Sequence, residues 1–354
     1  MGTLARRRSR DEKSVAGAAY AATVLMRSAI PGLLCVALAG VLAGALAQPA
    51  STGSGQAYPS KPVRMIAASS PGSGVDIVAR IVAQKLGDQI GQQVIVDNRA
   101  GAGGNLGAEL AAKAAPDGYT LFMGTPAHAI NTGLYRRLNY DLTRDFAPVS
   151  LVTRGQYVVV VHPSLPAKSI KELIALARAK PGQLNYASAG SGNATHLAGE
   201  LFNSAAHIKL VHVAYKGSGP ALIDLVGGQV QLMFSNLTAA LPQVKTGRIR
   251  ALAVTGERRA SAAPELPTVI EAGVPGYVVI SWFGVLVPAA TPREIVTRLN
   301  AALAQAMRAP EVRERLAGEG AEPVAGTPEQ FAAFIRTDIA QWTKVIRNSG
   351  IVAE

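Results

Sequence analysis

The sequence predicts an α/β protein folded in two compact halves, and three observations carry that expectation. From residue 58 onward, apolar runs of strand length alternate with amphipathic segments of helix length, the pattern of strands joined by crossover helices. Several of the amphipathic segments open on recognisable capping residues. About 300 residues remain once a leader is set aside, a length that favours two domains.

The elements follow in order. Residues 62–68 read as a strand, and 76–90 as a helix with Ile77, Val78, Ile81, Val82 and Leu86 on one face. A strand at 94–97, a helix at 104–115 and a strand at 119–124 come next, the last closed by Thr125-Pro126. The run 156–162 is a further strand, followed by a helix that a Ser169–Glu172 capping box opens. The alternation repeats: a strand at 185–188 and a helix from Asn193, a strand at 210–215 and a helix over 220–226, a strand at 231–234 and a segment ending near Thr246. Strands at 250–255 and 278–287 precede two closing helices, which start at Thr291-Pro292-Arg293-Glu294 and Thr327-Pro328-Glu329-Gln330. The result is one mainly parallel sheet or two of them; the strand order stays open.

The N-terminus reads as a secretory leader. Arg6, Arg7, Arg8, Arg10, Lys13 and Arg27 precede an uncharged stretch from Ser28 to Ser60, whose apolar core at 33–47 ends in Ala45-Leu46-Ala47. A basic segment, a short apolar core and a small-x-small end are what signal peptidase reads. The alternative, a retained anchor, needs about 20 apolar residues; this core is shorter, rich in Ala and Gly, and carries Pro31. Met1 and Met26 are both possible starts. The expected division is a leader at 1–47 and a linker at 48–57, which places the protein in the periplasm.

The one cysteine, Cys35, lies inside that leader, so the remaining chain offers no disulfide, thiol nucleophile or cysteine metal ligand. Removing six basic and two acidic residues with the leader lowers the net charge from +12 to +8. The Lys and Arg residues are scattered, without basic runs or interleaved aromatics, which argues against nucleic acid and fits attraction of small anions.

Ligands of open α/β sheets sit beyond the carboxyl ends of strands. Three loops there are rich in glycine and hydroxyl residues: 69–76 (SSPGSGVD), 124–131 (GTPAHAIN) and 188–196 (SAGSGNATH). Glycine lets backbone approach a ligand and a helix start presents N–H groups, a combination suited to a carboxylate or phosphate. None of the three contains Lys or Arg. Tight β-α turns would have the same composition, so each loop alone is ambiguous and the three together favour binding. Asp76 is read either as the N-cap of the following helix or as an acceptor for ligand or bridging water. His128 and His196 either bind or brace their loops, whereas His207 and His212 are expected to be packing or surface residues.

Catalytic readings fail on particulars. The run 101–107 (GAGGNLG) resembles a dinucleotide fingerprint with its third glycine one residue late, and no Walker-type loop is present. Ser191 follows Ala189 and Ser73 follows Pro71 at minus two, so neither occupies a nucleophile elbow. The five histidines show no zinc spacing. No cofactor and no metal are expected.

A longer series of motifs carries a resemblance. It runs from YPSKPVR at 58–64 through PGSGVD at 71–76, VDNRAGAGGN at 96–105, APDGYTL at 115–121 and HAIN at 128–131. LNYAS at 184–188, HVAYKG at 212–217, LAVT at 252–255, PTV at 267–269 and AGVPGY at 272–277 complete it. Together these resemble the Bug receptors, the periplasmic solute-binding component of tripartite tricarboxylate transporters. The resemblance implies a two-lobed Venus-flytrap fold of the periplasmic-binding-protein type (type 2), with lobe 1 at 58–157 plus 282–354, lobe 2 at 158–281, and crossover strands at 158–162 and 281–287. It implies a receptor that is not an enzyme, captures a small carboxylate (a di- or tricarboxylate, acidic amino acid or aromatic acid) and delivers it to separate integral-membrane transporter subunits, acting as a monomer. The site it implies comprises Gly72, Ser73, Gly74, Asp76, Thr125, Ala127 and His128 facing Ser188, Gly190, Ser191, Gly192, Asn193 and His196, with Ser235 on the wall. Three positions depart from the family: the first loop reads Gly-Ser-Gly-Val-Asp for Gly-Gly-x-Thr-Asp, Asn193 replaces a common Ser, and Ser235-Asn236 stand where many members carry Asp. The last removes a negative charge from the expected cleft wall. A partner of a sensor protein and a secreted α/β enzyme are the competing readings.

Overall fold

The structure, a computed structural model, describes residues 58–349. The expected leader and linker and the last five residues lie outside that range. In chain order the first half contains β1 (Val63–Ala67), α1 (Gly74–Ile90), β2 (Val94–Asn98), α2 (Asn105–Ala112), β3 (Thr120–Gly124) and α3 (Pro126–Leu134). β4 (Phe146–Val161) leads to α4 (Ile170–Ala179), β5 (Asn185–Ser188), α5 (Ala194–Ala206), β6 (Val211–Ala214), α6 (Ser218–Val226), β7 (Leu232–Asn236), α7 (Leu237–Lys245) and β8 (Arg250–Val254). β9 (Ile280–Pro288), α8 (Arg293–Arg308), α9 (Pro310–Gly318), β10 (Ala321–Pro323) and α10 (Pro328–Ser349) complete the chain.

The strands run in the order β2-β1-β3-β9-β4-β7-β5-β6. β1 pairs in parallel with β2 and β3, and β5 in parallel with β6 and β7. β4 belongs to both groups. Its residues 146–156 pair antiparallel with β9, and 157–161 pair antiparallel with β7 and β8. This is the two-lobed α/β architecture that the motifs imply, one parallel β-α unit per lobe joined through a shared strand. Each sheet is covered on both faces, as period-two burial shows. In lobe 1, Val63, Met65, Leu121 and Met123 enter one core while Ile66 and Phe122 enter the opposite one. In lobe 2, Val158, Val160 and Met233 face one side, and Val159, Val161, Leu232 and Phe234 the other.

Several expectations change. The strand read over 156–162 begins ten residues earlier, at Phe146. Two register shifts against β9, between Pro148 and Ser150 and between Leu151 and Thr153, break the alternation by which a strand is recognised. Residues expected to loop after Thr125 are helical from Pro126. Thr291 does not cap α8; its hydroxyl donates to the Pro288 carbonyl at 2.7 Å, and Pro292 is the cap residue. The box at Thr327 does form, with Thr327 Oγ1 accepting from Gln330 N–H at 3.2 Å and Gln330 Oε1 accepting from Thr327 N–H at 2.9 Å. The cap of α1 is Ser73 rather than Asp76, so that helix starts at Gly74. Among the described residues no helix is long and apolar enough to cross a membrane.

Candidate functional site

β1 lies between β2 and β3, and β5 between β6 and β7, so each lobe has a point where the chain leaves adjacent parallel strands in opposite directions. The loops beyond those carboxyl ends converge there. The loops after β1, β3, β5 and β6 meet, with the end of β7, around an enclosed space of about 30 Å³, lined among others by Ser73, Val75, Thr125, Ala127, Asn193, Ala194, Ser218 and Asn236. None of its fifteen lining residues is charged. Larger hollows, up to about 630 Å³, lie elsewhere on the surface, beside α1 and β2.

Helix starts dominate the lining. The first residues of α1, α3, α5 and α6 contribute Val75, Ala127, Ala194 and Ser218. The first N–H groups of a helix have no intrahelical acceptor and sit at its positive end. Several such ends around one space without a charged residue are chemically suited to an anion, with the hydroxyls of Ser73, Thr125 and Ser218 as further potential donors.

The first loop is held from behind by Asp76. Its Oδ2 accepts from Gly72 N–H at 2.9 Å, while Oδ1 accepts from Asn98 Nδ2 at 3.0 Å and pairs with Arg80 at 2.9 Å. Ser73 Oγ accepts from Asp76 N–H at 3.3 Å. Asp76 therefore occupies the third helical position with its carboxylate engaged by the protein, which corrects the N-cap reading. His128 Nδ1 accepts from Thr125 N–H at 3.0 Å, and its ring packs edge-on against Phe122, 4.8 Å between centroids. Burial pushes the imidazole down to about 4, against the opposing pull of the Thr125 backbone. It stays neutral near pH 7 and braces the loop.

The lobe 2 loop is built the same way. Asn193 Oδ1 accepts from Thr195 N–H, Thr195 Oγ1 accepts from Ala189 N–H at 2.8 Å, and His196 Nδ1 accepts from Gly192 N–H at 3.2 Å. His196 stacks on His212 with centroids 3.9 Å apart, and His212 Nε2 bonds Ser188 Oγ at 2.6 Å. That Ser–His pair lies behind the wall, with Ser188 wholly buried and also accepting from Gly190 N–H at 3.1 Å. Ser191 enters through its carbonyl, which accepts from Tyr135 OH of lobe 1 at 3.2 Å.

Of the expected residues, Ser73, Thr125, Ala127 and Asn193 line the space. Gly72, Gly74, Asp76, His128, Ser188, Gly190, Ser191, Gly192 and His196 surround it as supports and closing contacts. Ser235 is wholly buried in β7, with Oγ donating to the Asn236 carbonyl at 3.2 Å; its neighbour Asn236 lines the space instead. Strand alternation explains the exchange, since successive side chains point to opposite faces. Sequence reasoning also missed Gly103, Ser218, Tyr157 and Phe283. The GAGGN run holding Gly103 was visible and weighed only as a nucleotide motif, whereas Tyr157 and Phe283 sit inside apolar strands that give no local sign of a site.

The lobes touch around the space. A Cβ on Gly103 would lie 2.5 Å from the Ser191 carbonyl, and one on Gly219 would lie 2.6 Å from the Pro71 carbonyl. Gly219 N–H donates to Ser70 Oγ at 3.2 Å. The enclosed volume has room for one or two waters and not for an organic acid, so entry of such a ligand requires the lobes to part.

The profile of the family described as the tripartite tricarboxylate transporter family receptor matches residues 78–351. The chain is 38% identical over 299 residues to the protein BugT of Bordetella pertussis, covering 84% of this chain and 92% of that one. It is similar to an R. palustris protein solved with adipate, at 40% identity and a TM-score of 0.81, covering 83% of this chain and 99% of the other. The periplasmic binding protein BugD has 32% identity and a TM-score of 0.82, with 84% of this chain and all of that one covered.

Proposed function

Because the chain belongs to the receptor family of the tripartite tricarboxylate transporters, we propose that its cleft captures a small carboxylate and hands it to separate membrane subunits without changing it. The observation that carries this reading is the convergence of four helix starts from both lobes on one cation-free space. One carboxylate is received by the N–H groups of Val75, Ala127 and Ala194 with the hydroxyls of Ser73, Thr125 and Ser218, while Asp76, His128 and His196 hold the loops that carry them. Both lobes supply donors, so binding favours the closed arrangement. The lobe boundaries near residues 157 and 281 belong to the same proposal and are supported by the change of pairing partners within β4. Export with cleavage after Ala47 belongs to it too, and the intact mass of exported protein checks it, with a first residue at Gln48 expected.

A thermal-shift panel of small carboxylates and their neutral amides tests the central claim. A carboxylate at 100 times its dissociation constant adds about 2.7 kcal/mol of stability, a shift of several degrees, and is recovered unchanged. Stabilisation by the amides alone, or by sugars, would remove the anion reading. Appearance of a product would restore the enzyme reading.

A further inference from the structure

The lobe 2 loop is held by a bond that depends on the charge of one histidine. His196, 3% exposed in the first turn of α5, accepts the Gly192 N–H at Nδ1, 3.2 Å away. An imidazolium carries a proton on both nitrogens and accepts nothing, so this bond exists only while His196 is neutral. His212 on β6 stacks on it nearly in parallel, with 3.9 Å between centroids and 19° between planes, and its Nε2 bonds Ser188 Oγ at 2.6 Å. Two stacked cations repel, so the pair holds one added proton well before it holds two. Gly192 stands at a left-handed φ of 77° and packs on lobe 1, where a Cβ would lie 2.9 Å from both Asn131 Oδ1 and Tyr135 OH. Beside it the Ser191 carbonyl accepts from Tyr135 OH at 3.2 Å. One turn, 190–193, therefore joins the histidine, a contact between the lobes and Asn193 on the cleft lining.

We infer that His196 is a positioning residue whose protonation releases the ligand. The inference rests on the receptor reading above and adds how that site is regulated. A proton on Nδ1 removes the Gly192 bond and sets one N–H against another, which pushes the turn from its place. The turn takes with it the carbonyl that Tyr135 holds and the start of α5, so the closed form loses a lobe contact and lobe 2 donors together. The titratable groups facing the pair are Tyr135 from α3, Tyr186 from β5, Tyr277, whose phenol donates to the Ala198 carbonyl of α5 at 2.8 Å, and Glu200, which accepts from Tyr186 OH. Burial raises the Tyr135 and Tyr277 phenols, so both stay protonated. Glu200 is the carboxylate among them. It lies one turn beyond His196 in α5, at the i, i+4 spacing that makes helix neighbours, and so favours a proton on His196 over one on His212. Histidine changes charge between about pH 5 and 8. The neutral form binds, so affinity is full above that range and falls as the pH drops through it. His128 of lobe 1 accepts a backbone N–H in the same way but is held down to about 4, so the switch belongs to lobe 2.

The competing account makes His196 a brace that stays neutral throughout. Titration calorimetry on the mature protein between pH 7.5 and 5.5 separates the two, with succinate, adipate or benzoate as the probe, whichever stabilises the protein most. His196→Asn puts an amide oxygen where Nδ1 stands and cannot take a proton, so it is expected to bind within about threefold of wild type at pH 7.5. Over the pH range, wild type is expected to lose about tenfold more affinity than His196→Asn, because about one ordinary imidazole in ten is neutral one unit below its midpoint. Protonation of the probe is common to both proteins and cancels. His212→Gln, which keeps an amide in place of Nε2, is expected to retain the wild-type fall. Equal profiles in wild type and His196→Asn make His196 a brace and overturn the inference while leaving the receptor reading intact. A flat profile in His212→Gln puts the proton on the other ring and overturns it too. No binding of any of the three probes at pH 7.5 removes the receptor reading, and this inference with it. Nuclear magnetic resonance of wild type with isotope-labelled histidine needs no variant. His196 Nδ1 is expected to gain its proton as affinity falls, and an Nδ1 still bare at pH 5.5 overturns the inference even if a variant fails to fold.

Discussion

Asp76 is an acid beside a cleft suited to receiving an acid, and its surroundings remove the conflict. Its oxygens accept from a backbone N–H, an amide and a guanidinium, and it is 4% exposed. The negative charge is answered locally while the carboxylate ties the Gly72 turn to α1. Hydrogen bonds to a charged group contribute about 1.5–3 kcal/mol each, and Asp76→Asn retains some of them. The variant is therefore expected to lower the melting temperature of the empty protein by a few degrees, a loss of about 1–2 kcal/mol. Carboxylate affinity should move by less than about threefold, because the side chain is absent from the wall. Calorimetry and a thermal melt on the same sample check both halves. An unchanged melt with a tenfold loss of affinity would instead make Asp76 a ligand-facing group.

At the scale of elements, α10 fastens the shared strands from outside the cleft. Asp338 on α10 accepts from Trp282 Nε1 on β9 at 2.8 Å. Burial raises its carboxyl to about 6, only partly offset by bonds from Trp282 and Trp342. An acid raised in the fold binds a proton that the unfolded chain has released, so its contribution is present below about pH 4 and is lost as the pH rises through 6. Asp338→Asn is expected to raise the melting temperature at pH 7.5 relative to wild type and to leave it nearly unchanged at pH 4. His128, lowered to about 4, acts with the opposite sign, as its contribution is full above about pH 6.5 and fades on acidification. The comparison therefore needs the difference between Asp338→Asn and wild type at each pH, not the wild-type slope alone. A melting difference that is constant from pH 4 to 7.5 would show that Asp338 does not titrate in this range.

For the whole molecule, the proposed capture requires closure of the lobes, and Gly219 isolates that step. Its position in the first turn of α6 needs no positive φ, yet an added Cβ would meet the Pro71 carbonyl of lobe 1 at 2.6 Å. Gly219→Ala should leave the open protein as stable or slightly more so, since alanine favours a helix by up to about 1 kcal/mol over glycine. The closed protein must shift a backbone segment to accommodate it. Carboxylate affinity is expected to fall at least about tenfold, about 1.4 kcal/mol, with the melting temperature of the empty protein undiminished. Wild-type affinity in Gly219→Ala would mean that the bound form does not bring α6 against the first loop.

The amino-acid order by itself determined what depends on neighbours along the chain. Strand and helix alternation, the cap at Ser169, the box at Thr327 and the glycine-rich turns after β1 and β5 were all legible, because period and capping are local properties. At Ser169 only half of the expected box forms, since Glu172 turns to the Lys168 N–H. Ser73, Thr125, Ala127 and Asn193, which line the space between the lobes, could be singled out for that reason: each stands where a strand hands over to a helix. The tertiary structure alone decided what depends on contacts across the fold. It let one strand serve two lobes, because bulges opposite β9 tolerate the broken alternation of residues 146–155 that hides a strand from inspection. It placed Tyr157, Asn236 and Phe283 at the base of the cleft through pairing of β4, β7 and β9, segments that look like ordinary core. It also exchanged Ser235 for Asn236, because which face of a strand meets the cleft is set by its partners and not by its own residues.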